Sequence, residues 1–382
     1  MRRQLSALWL CAATVAGAPP ARFATHTVAT GLTGGYQVVA VDLNHDGKPD
    51  LIALASGMHE LVWFENPGWQ RHVIAGNQNR MINCAVVESG GQTQIVLASE
   101  FANEARNSIG LVSVLTPGGD VRQPWSVREI DRLTTSHRLR VADIDGSGKK
   151  VVINAPLTGA KAAGPDYRDH TPLVYYRPGE WKRELISEAN EGVVHGIFVV
   201  DWDGDGRDEI LTASFVGLHL FKFGKDGRWT RTEISKGDPA AWPKSGSSDV
   251  AVGKVGKKRF LAVIEPWHGN QVVIYQQNKH AWEREVIDDS LAEGHTILAV
   301  DLNHDGRDEV VAGYRGKGRS VNLYYAEGKG GHWAKQVLDD GGIAANACAT
   351  ADFNGDGRPD IACIGGGTSN LKWYENLGAT GK

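Results

Sequence analysis

The sequence predicts an all-β fold, a seven-bladed β-propeller with four strands in each blade. The first observation is an acidic turn, Asp42-Leu-Asn44-His-Asp46-Gly47-Lys-Pro-Asp50, which lies between two apolar runs and recurs along the chain. The second is the spacing of the repeats, whose starting positions lie 46 to 58 residues apart. The third is an aromatic run that follows most copies. Self-similarity at this period is typical of propellers and solenoids.

The strands of one repeat can be predicted in order. Apolar runs precede and follow the acidic turn, as in Val38 to Val41 and Leu51 to Leu54, so the turn joins the first two strands. The third strand is aromatic, as in Leu61 to Glu65, and the fourth opens with Trp, as in Trp69 to Ile74. Four such strands make one propeller blade.

Seven repeats fill the chain. Four carry the full acidic turn, one carries a shortened copy, and two keep only the surrounding pattern. The first turn residues are Asp42, Glu88, Asp143, Asp201, Gly253, Asp301 and Asp352. The last repeat lacks a Trp-led strand, and Arg22 to Val28 resembles one. The N-terminal strand is therefore expected to complete the last blade, which removes open sheet edges.

Bulk properties limit the classes of function. A charged start and a short apolar run, Leu5 to Ala16, are typical of a secretory signal, so about residues 1–21 are predicted to be a signal peptide. Residues 22–382 would then form one secreted or periplasmic propeller domain. The net charge of −4, without a long charge run, argues against a nucleic-acid partner. No other apolar stretch is long enough to span a bilayer. The oligomeric state is not predicted.

The cysteines that remain after signal removal are an odd number. Cys84, Cys348 and Cys363 are expected to be buried small apolar residues; a disulfide is the open alternative, which their pattern does not support.

The acidic turns present oxygen atoms at alternate positions and glycine at the sixth, a ligand pattern that suits Ca²⁺. Structural calcium is therefore predicted in each complete turn, the alternative being a polar turn rich in Asp and Gly. The shortened turn at Asp143 has Val151 in place of the closing carboxylate, so no calcium is expected there. The predicted ligands are Asp42, Asn44, Asp46 and Asp50; Asp201, Asp203, Asp205 and Glu209; Asp301, Asn303, Asp305 and Glu309; and Asp352, Asn354, Asp356 and Asp360.

These turns resemble the FG-GAP and VCBS class of propeller repeats, which specifies the fold and says little about function. Three other segments, Trp63 to Gly68, Glu265 to Gly269 and Gly313 to Gly316, resemble the propeller domain of the aldos-2-ulose dehydratases and their bacterial relatives. The resemblance implies elimination of water from oxidised sugars such as anhydrofructose, with a bound divalent metal. The cupin domains of the fungal enzymes are not found in this sequence, which puts any step that needs them in doubt.

A ring of residues is expected around the propeller axis, because first strands line the central channel. The residues that lie six positions before the first residue of each turn are Tyr36, Ile82, His137, His195, Ser247, His295 and Asn346. The three histidines could converge on Zn²⁺ or another divalent transition metal at the channel mouth. Two other interpretations stay open: the histidines descend from one ancestral repeat without meeting, or they are hydrogen-bonded groups in a wet channel.

Loops between second and third strands are predicted to share this rim. The loop from Ala155 to Pro172 is long enough to suggest a function, although a mobile surface insertion is the alternative. The predicted catalytic residues are His268, His170, Tyr167, Lys161 and Arg315. The predicted substrate-binding residues are Trp267, Glu265, His59, Glu100, Tyr36 and Asn346. The Trp residues that recur at the fourth strands are expected to be packing residues.

The residues and the resemblance together favour a metal-dependent lyase of the dehydratase type, acting by β-elimination on a keto-sugar or glycoside. In that mechanism a metal polarises the carbonyl, His268, His170 or Tyr167 removes a proton, Arg315 and Lys161 neutralise charge, and Trp267 stacks on the sugar ring. A carbohydrate-binding or adhesion propeller without catalysis is the first alternative, and a polysaccharide lyase is the second.

Overall fold

The computed structural model describes residues 19–279, 281–328 and 330–379, so residues 1–18 of the predicted signal peptide lie outside it. The described chain forms seven antiparallel sheets of four strands each, which confirms the predicted propeller. A single turn of 3-10 helix, Ala105–Asn107, is found between two strands of the second blade. Within the described ranges, no helix has the length and apolar character needed to cross a membrane.

The N-terminal strand and the first three blades are built from β1 (Ala21–Thr30), β2 (Gly35–Val41), β3 (Asp50–Ala55), β4 (Leu61–Glu65), β5 (Gln70–Ala75), β6 (Asn83–Ser89), β7 (Gln92–Ser99), β8 (Leu111–Thr116), β9 (Ser126–Arg132), β10 (Ser136–Ala142), β11 (Val151–Pro156), β12 (His170–Tyr176) and β13 (Arg183–Glu191). Blades four and five are built from β14 (Val194–Val200), β15 (Glu209–Ser214), β16 (Gly217–Phe223), β17 (Trp229–Ser235), β18 (Asp249–Val255), β19 (Lys258–Glu265), β20 (Gln271–Gln277) and β21 (Trp282–Asp288). Blades six and seven are built from β22 (Gly294–Val300), β23 (Glu309–Tyr314), β24 (Ser320–Glu327), β25 (His332–Asp340), β26 (Ala345–Ala351), β27 (Asp360–Gly365) and β28 (Asn370–Ala379).

The ring closes as the sequence predicts. Strand β1 pairs with β28 in antiparallel register from Ala21 opposite Ala379 to Thr30 opposite Asn370. The N–H group of Ala21 also donates to the Tyr325 hydroxyl oxygen at 3.3 Å, which ties the start of β1 to blade six. The seventh sheet thereby gains its outer strand, and β28 is left with no open edge.

The core lies between neighbouring blades. Second strands such as β3 and β15 are buried along their whole length, because both of their faces pack against other sheets. The recurring Trp residues of the fourth strands are packing residues, as expected. Trp125, Trp181 and Trp333 are buried, and the half-buried Trp229 contacts Tyr175 and Phe223. The first strands are left to line the channel.

The structure decides between the two alternatives for the cysteines. Cys348 on β26 and Cys363 on β27 are directly opposite in the strand register and form a disulfide. Only cross-strand pairing brings these two residues together, so their positions in the sequence do not reveal it. Cys84 is buried and free.

The acidic turns share one hydrogen-bonding pattern. In the first, Asp42 accepts the N–H groups of Asp46 and Gly47 at 3.0 and 2.9 Å. The closing carboxylate Asp50 is buried and accepts the N–H groups of Leu43 and Asn66 at 3.0 and 2.9 Å. Burial raises the pKa of Asp50 to about 6. In the sixth blade, burial likewise raises the pKa of Glu309, here to about 8. A bound cation would stabilise these carboxylates in their charged form, and calcium in the turns stays a prediction.

The fourth-blade turn differs because it contains a cation of the chain itself. The Lys222 ammonium contacts Asp203 and lies 3.2 Å from both Asp205 Oδ2 and Glu209 Oε1. Three of the four predicted calcium ligands of this turn therefore already have a positively charged partner.

Candidate active site at the channel mouth

One end of the central channel opens into a cavity of about 540 Å³. Its lining comes from all seven blades and their loops, and it includes Tyr36, Phe101, His137, His195, Trp267, His268, Arg315 and Asn346. Because each blade contributes a different side chain, the cavity is asymmetric. Within the described chain, the residues at this end of the channel thus share one cavity.

The imidazoles that converge are not the predicted trio. Ligand nitrogens of His195, His268 and His295 lie within 4.8 Å of one another, with His268 in the place expected for His137. Blade five has the small Ser247 at the ring position, which leaves a gap between blades four and six. The loop after β19 fills this gap, and there the N–H group of His268 donates to Ser248 Oγ at 3.2 Å.

The protonation of two of these rings is set by backbone carbonyls. Nδ1 of His195 lies 3.2 Å from the Ser248 carbonyl oxygen, and Nδ1 of His295 lies 2.6 Å from that of Asn346. A carbonyl can only accept, so Nδ1 of His295 carries the hydrogen and its Nε2 keeps the lone pair. Nδ1 of His195 has the Ser248 Oγ at 3.2 Å as a second neighbour, and a hydrogen on this Nδ1 satisfies the carbonyl and leaves the lone pair on Nε2. Nε2 of His295 is buried without a hydrogen-bond partner among the described residues. Such carbonyl contacts are typical of histidines that ligate metals.

His268 is held in the opposite tautomer. Nη2 of Arg315 lies 3.3 Å from Nδ1 of His268, and a guanidinium group can only donate. The neutral ring therefore carries its hydrogen on Nε2, which faces Nε2 of His195 at 3.1 Å. Glu293 holds Arg315 in place through a 3.1 Å ion pair. His268 has a φ of 47° and Glu293 a φ of 57°, left-handed conformations that non-glycine residues adopt at a cost, frequently at functional sites.

His137 lies beside the trio and has a different partner. Its Nε2 is 2.8 Å from the Tyr36 hydroxyl oxygen, and its ring centroid is 5.1 Å from that of His195. Nδ1 of His137 is buried without a hydrogen-bond partner among the described residues. His137 and Tyr36 thus form a separate pair that can exchange protons.

The four histidines are neutral at pH 7. Burial lowers the pKa of His137, His195 and His295 well below the usual value, and the positive charges of Arg138 and Arg315 act in the same direction. Burial and Arg315 lower the pKa of His268 to about 3. Neutral imidazoles have the lone pairs that metal ligation and proton acceptance both need.

Several predicted residues reach the cavity. Trp267 presents its ring there and is backed by Tyr167 and Phe215, with ring centroids 5.5 Å away in both cases. Asn346 donates to the Gly35 carbonyl oxygen at 2.8 Å, and its own Oδ1 has no partner within the described chain. Tyr36, Arg315 and His268 complete this group.

Other predicted residues do not line the cavity. Glu265 is fully buried and bonded to Ser247, Tyr275 and Arg284, because strand alternation turns it away from the rim. His59 and Glu100 contact Asn79, and Glu100 also contacts Arg80 at the outer edge. Lys161 and His170 are exposed away from the cavity lining.

The long loop of blade three is shorter than predicted, since β11 and β12 extend into it and leave residues 157–169. It is packed against its surroundings. Nε1 of Trp242 donates to the Asp166 carbonyl oxygen at 2.8 Å, and the Arg168 guanidinium lies 4.4 Å from the Trp242 ring centroid. Tyr167 of this loop supports Trp267 from behind, so its role is indirect.

Three residues near the site were not singled out by the sequence. Phe101 lines the cavity, with its ring 5.4 Å from that of His137. Arg138 and Asp249 lie on first strands just below the histidines. The available sequence signal was charge on a strand that must line the channel. The first strands of the other five blades have uncharged residues at this position, namely Gln37, Asn83, Gly196, Thr296 and Ala347.

Comparison with known proteins agrees with this architecture. The family model described as the aldos-2-ulose dehydratase β-propeller domain matches residues 109–278, and that of the FG-GAP-like repeat matches residues 301–363. This chain resembles the aldos-2-ulose dehydratase propeller. The aldos-2-ulose dehydratase of Phanerodontia chrysosporium is 25% identical over 296 residues, which cover 67% of this chain and 32% of that protein. The matched part is therefore about a third of the aldos-2-ulose dehydratase length, and the predicted resemblance is confirmed.

Proposed function

We propose that the protein is a dehydratase-type lyase that eliminates water or an alcohol from a small keto-sugar at the channel mouth. The observation that carries this proposal is the convergence of four neutral imidazoles, three of them buried and His268 half-buried, beside Arg315 and Trp267 at one cavity. The resemblance to the aldos-2-ulose dehydratase propeller supplies the substrate class. A binding module would be expected to repeat similar residues in several blades, whereas this cavity has a different residue from each.

The site fits a divalent transition metal, although that metal remains part of the proposal. Nε2 of His195 and Nε2 of His295 both keep a lone pair. The first accepts from Nε2 of His268 at 3.1 Å, and the second is a buried atom without a partner in the described chain. His268 would be the third ligand once its proton moves from Nε2. When bound, such an ion would polarise the substrate carbonyl and stabilise the enediolate.

His137 and Tyr36 are positioned to handle the protons. With hydrogen on Nε2 donated to Tyr36, Nδ1 of His137 can accept the proton from the carbon next to the carbonyl. As that C–H bond breaks, a carbon–carbon double bond forms and the C–O bond at the next carbon breaks. Tyr36 gives its proton to the departing oxygen and regains one from Nε2 of His137. The products are the unsaturated keto-sugar and water or an alcohol. Tyr36 returns to its starting state, whereas His137 is left with its hydrogen on Nδ1 and must exchange protons with solvent to carry hydrogen on Nε2 again before the next turnover.

Arg315 and Trp267 would hold the substrate. The guanidinium can donate to an oxygen that gains negative charge, and the indole offers an apolar face to a sugar ring. This proposal moves the base from His268, His170 or Tyr167 to His137, because His268 belongs to the converging trio and the other two lie outside the cavity.

The test is a turnover assay on 1,5-anhydrofructose and a panel of 2-keto-sugars. The ultraviolet absorbance of the conjugated product measures the rate. The wild-type protein with zinc or another divalent metal should turn over at least one substrate. His195→Ala and His137→Ala should lower turnover by at least about 100-fold. The exposed His170→Ala is the matched control and should keep wild-type turnover. Sugar binding without turnover in the folded wild-type protein would replace this proposal with the binding-module function.

A further inference from the structure

A second cavity lies on the propeller axis below the histidines. Its volume is about 350 Å³, and Asn346 lines both this cavity and the active-site cavity. Arg138 and Arg140 of β10 line its wall, together with Asn83 of β6. The proposed reaction uses none of these last three residues.

Both arginines lack an acidic partner. Arg138 is only 4% exposed, and its Nε donates to the His195 carbonyl oxygen at 2.9 Å. Nη1 of Arg140 donates to the Leu139 carbonyl oxygen at 2.8 Å. Among the residues that the structure describes, no carboxylate oxygen lies within 4.0 Å of either guanidinium group. Buried charges are normally paired, so this arrangement calls for a compensating negative charge.

Asp249 provides only part of that charge. The strand register places Asp249 of blade five, Gly196 of blade four and Arg138 of blade three at equivalent positions of their first strands. A Cβ atom at Gly196 would lie 2.5 Å from Oδ1 of Asp249, so glycine keeps this space open. Two guanidinium groups face one carboxylate, and burial raises the pKa of Asp249. The cavity wall therefore has an excess of at least one positive charge.

Arg140 is charged, unlike the residues at the equivalent position of the other first strands. Strand register places it in a ring whose other six members are apolar, namely Val39, Ala85, Phe198, Ala251, Leu298 and Ala349. Its pKa, which burial lowers, is still about 10, so it is charged at pH 7. The six apolar side chains at this level offer no charge that could compensate the Arg140 guanidinium.

A third donor points to the nature of the ligand. Asn83 is buried, and its Oδ1 accepts the N–H group of Leu139 at 2.9 Å, which fixes the orientation of the amide. Nδ2 of Asn83 is then a buried N–H₂ group without a partner in the described chain. Two guanidinium groups and one amide donor on a cavity wall form a site for an anion.

We propose that this axial cavity binds a small monovalent anion of the halide class, held by Arg138, Arg140 and Nδ2 of Asn83. One negative charge offsets the positive excess that the two arginines create beside Asp249. A dianion would be repelled by Asp249, which is why a monovalent ion is favoured.

The experiment compares melting temperatures in sodium chloride and sodium gluconate at matched ionic strength. Wild-type protein should melt at a higher temperature in chloride, by about 2–4 °C for each tenfold increase in chloride above the dissociation constant. Arg140→Met, which completes the apolar ring, should lose the chloride-specific increase. Arg128→Met, at an exposed position of β9, is the matched control and should keep it. An equal response to both salts in the wild-type protein, or a retained response in Arg140→Met, would overturn the proposal.

A second variant covers the case in which Arg140→Met does not fold. Asp249→Asn removes the competing negative charge, so chloride should bind about tenfold more tightly. Crystals of the wild-type protein grown in sodium bromide should show an anomalous peak between Arg138 and Arg140. Unchanged or weaker chloride binding in Asp249→Asn, or no bromide peak in the cavity, would count against the site.

Discussion

The hydrogen bond from Arg315 to His268 determines which nitrogen of His268 is available. Arg315 can only donate, so Nδ1 of His268 has the lone pair that accepts this hydrogen bond. The ring hydrogen of His268 is then on Nε2 and faces His195. A metal bound to Nε2 would displace this hydrogen and force Nδ1 to carry one against the guanidinium group. His268 and His195 thus form a hydrogen-bonded pair that a bound metal would have to rearrange.

The first prediction concerns this contact. In Arg315→Met, Nδ1 of His268 is released from the guanidinium and can carry the hydrogen, so zinc affinity should rise by about tenfold. Isothermal titration calorimetry of the metal-free protein with zinc measures the change. Turnover should fall in the same variant, because Arg315 would hold the substrate.

The control for that prediction is Arg319→Met, a nearby exposed arginine that donates to the Gly341 carbonyl oxygen outside the cavity. Its zinc affinity should match the wild-type value. Weaker zinc binding in Arg315→Met would show that the arginine supports the metal form, contrary to the tautomer argument.

Among the elements, the four complete acidic turns are not equivalent. The residue that follows the third-strand aromatic is Glu65 in blade one and Glu375 in blade seven, whereas it is Lys222 in blade four. The lysine ammonium contacts carboxylates that the sequence predicts as calcium ligands. Blade four thus places a lysine ammonium beside its turn, at the position where blades one and seven have a further acidic residue.

The second prediction is that Lys222→Met gains one calcium ion per chain relative to the wild-type protein. Removal of the ammonium leaves Asp203, Asp205 and Glu209 without a positive partner, so the turn should need calcium for stability. Calcium content after dialysis, measured by elemental analysis, gives the stoichiometry. The variant should also melt at a lower temperature in a calcium chelator and recover when calcium is added.

Lys225→Met is the matched control, since Lys225 is exposed in the following turn. It should leave the calcium content unchanged. Equal calcium content in the wild-type protein and in Lys222→Met would mean that the lysine does not take the place of an ion.

At the scale of the whole molecule, stability depends on closure of the ring. Strand β1 covers the outer edge of β28 along ten residues, and His26 of β1 stacks on Trp373 with ring centroids 4.5 Å apart. The same histidine forms a 2.9 Å ion pair with Glu375 when it is protonated. These contacts connect the two ends of the described chain.

The third prediction follows from this closure. A variant that begins at Gly31 lacks β1, and its exposed β28 edge should pair with other molecules. Its melting temperature should fall, and light scattering should show association that increases with concentration. A protein that begins at Ala21 is the control and should remain as stable as the full chain. A monomeric Gly31 variant with an unchanged melting temperature would show that blade seven does not need its outer strand.

The limits of prediction are clearest at blade five. The ring position there is Ser247, so the sequence alone places only three histidines around the axis. His268 comes from a loop, and no repeat pattern fixes where a loop side chain points. Glu265 shows the opposite error. Its position two residues before Trp267 suggests that its side chain reaches the rim, whereas the strand directs this side chain into the core. Both errors arise because the orientation of a side chain at the end of a strand depends on its contacts with the next blade.

The sequence by itself determined the number of blades, the strand order within each blade and the closure of the ring. These follow from local periodicity and turn chemistry, which repeat every 46 to 58 residues and need no knowledge of distant contacts. Only the tertiary structure decided that His195 meets His268 and His295, that Cys348 bonds Cys363, and that Lys222 lies within an acidic turn. Each of these contacts joins residues from different strands, loops or blades, and its geometry depends on side-chain packing that a one-dimensional pattern does not contain.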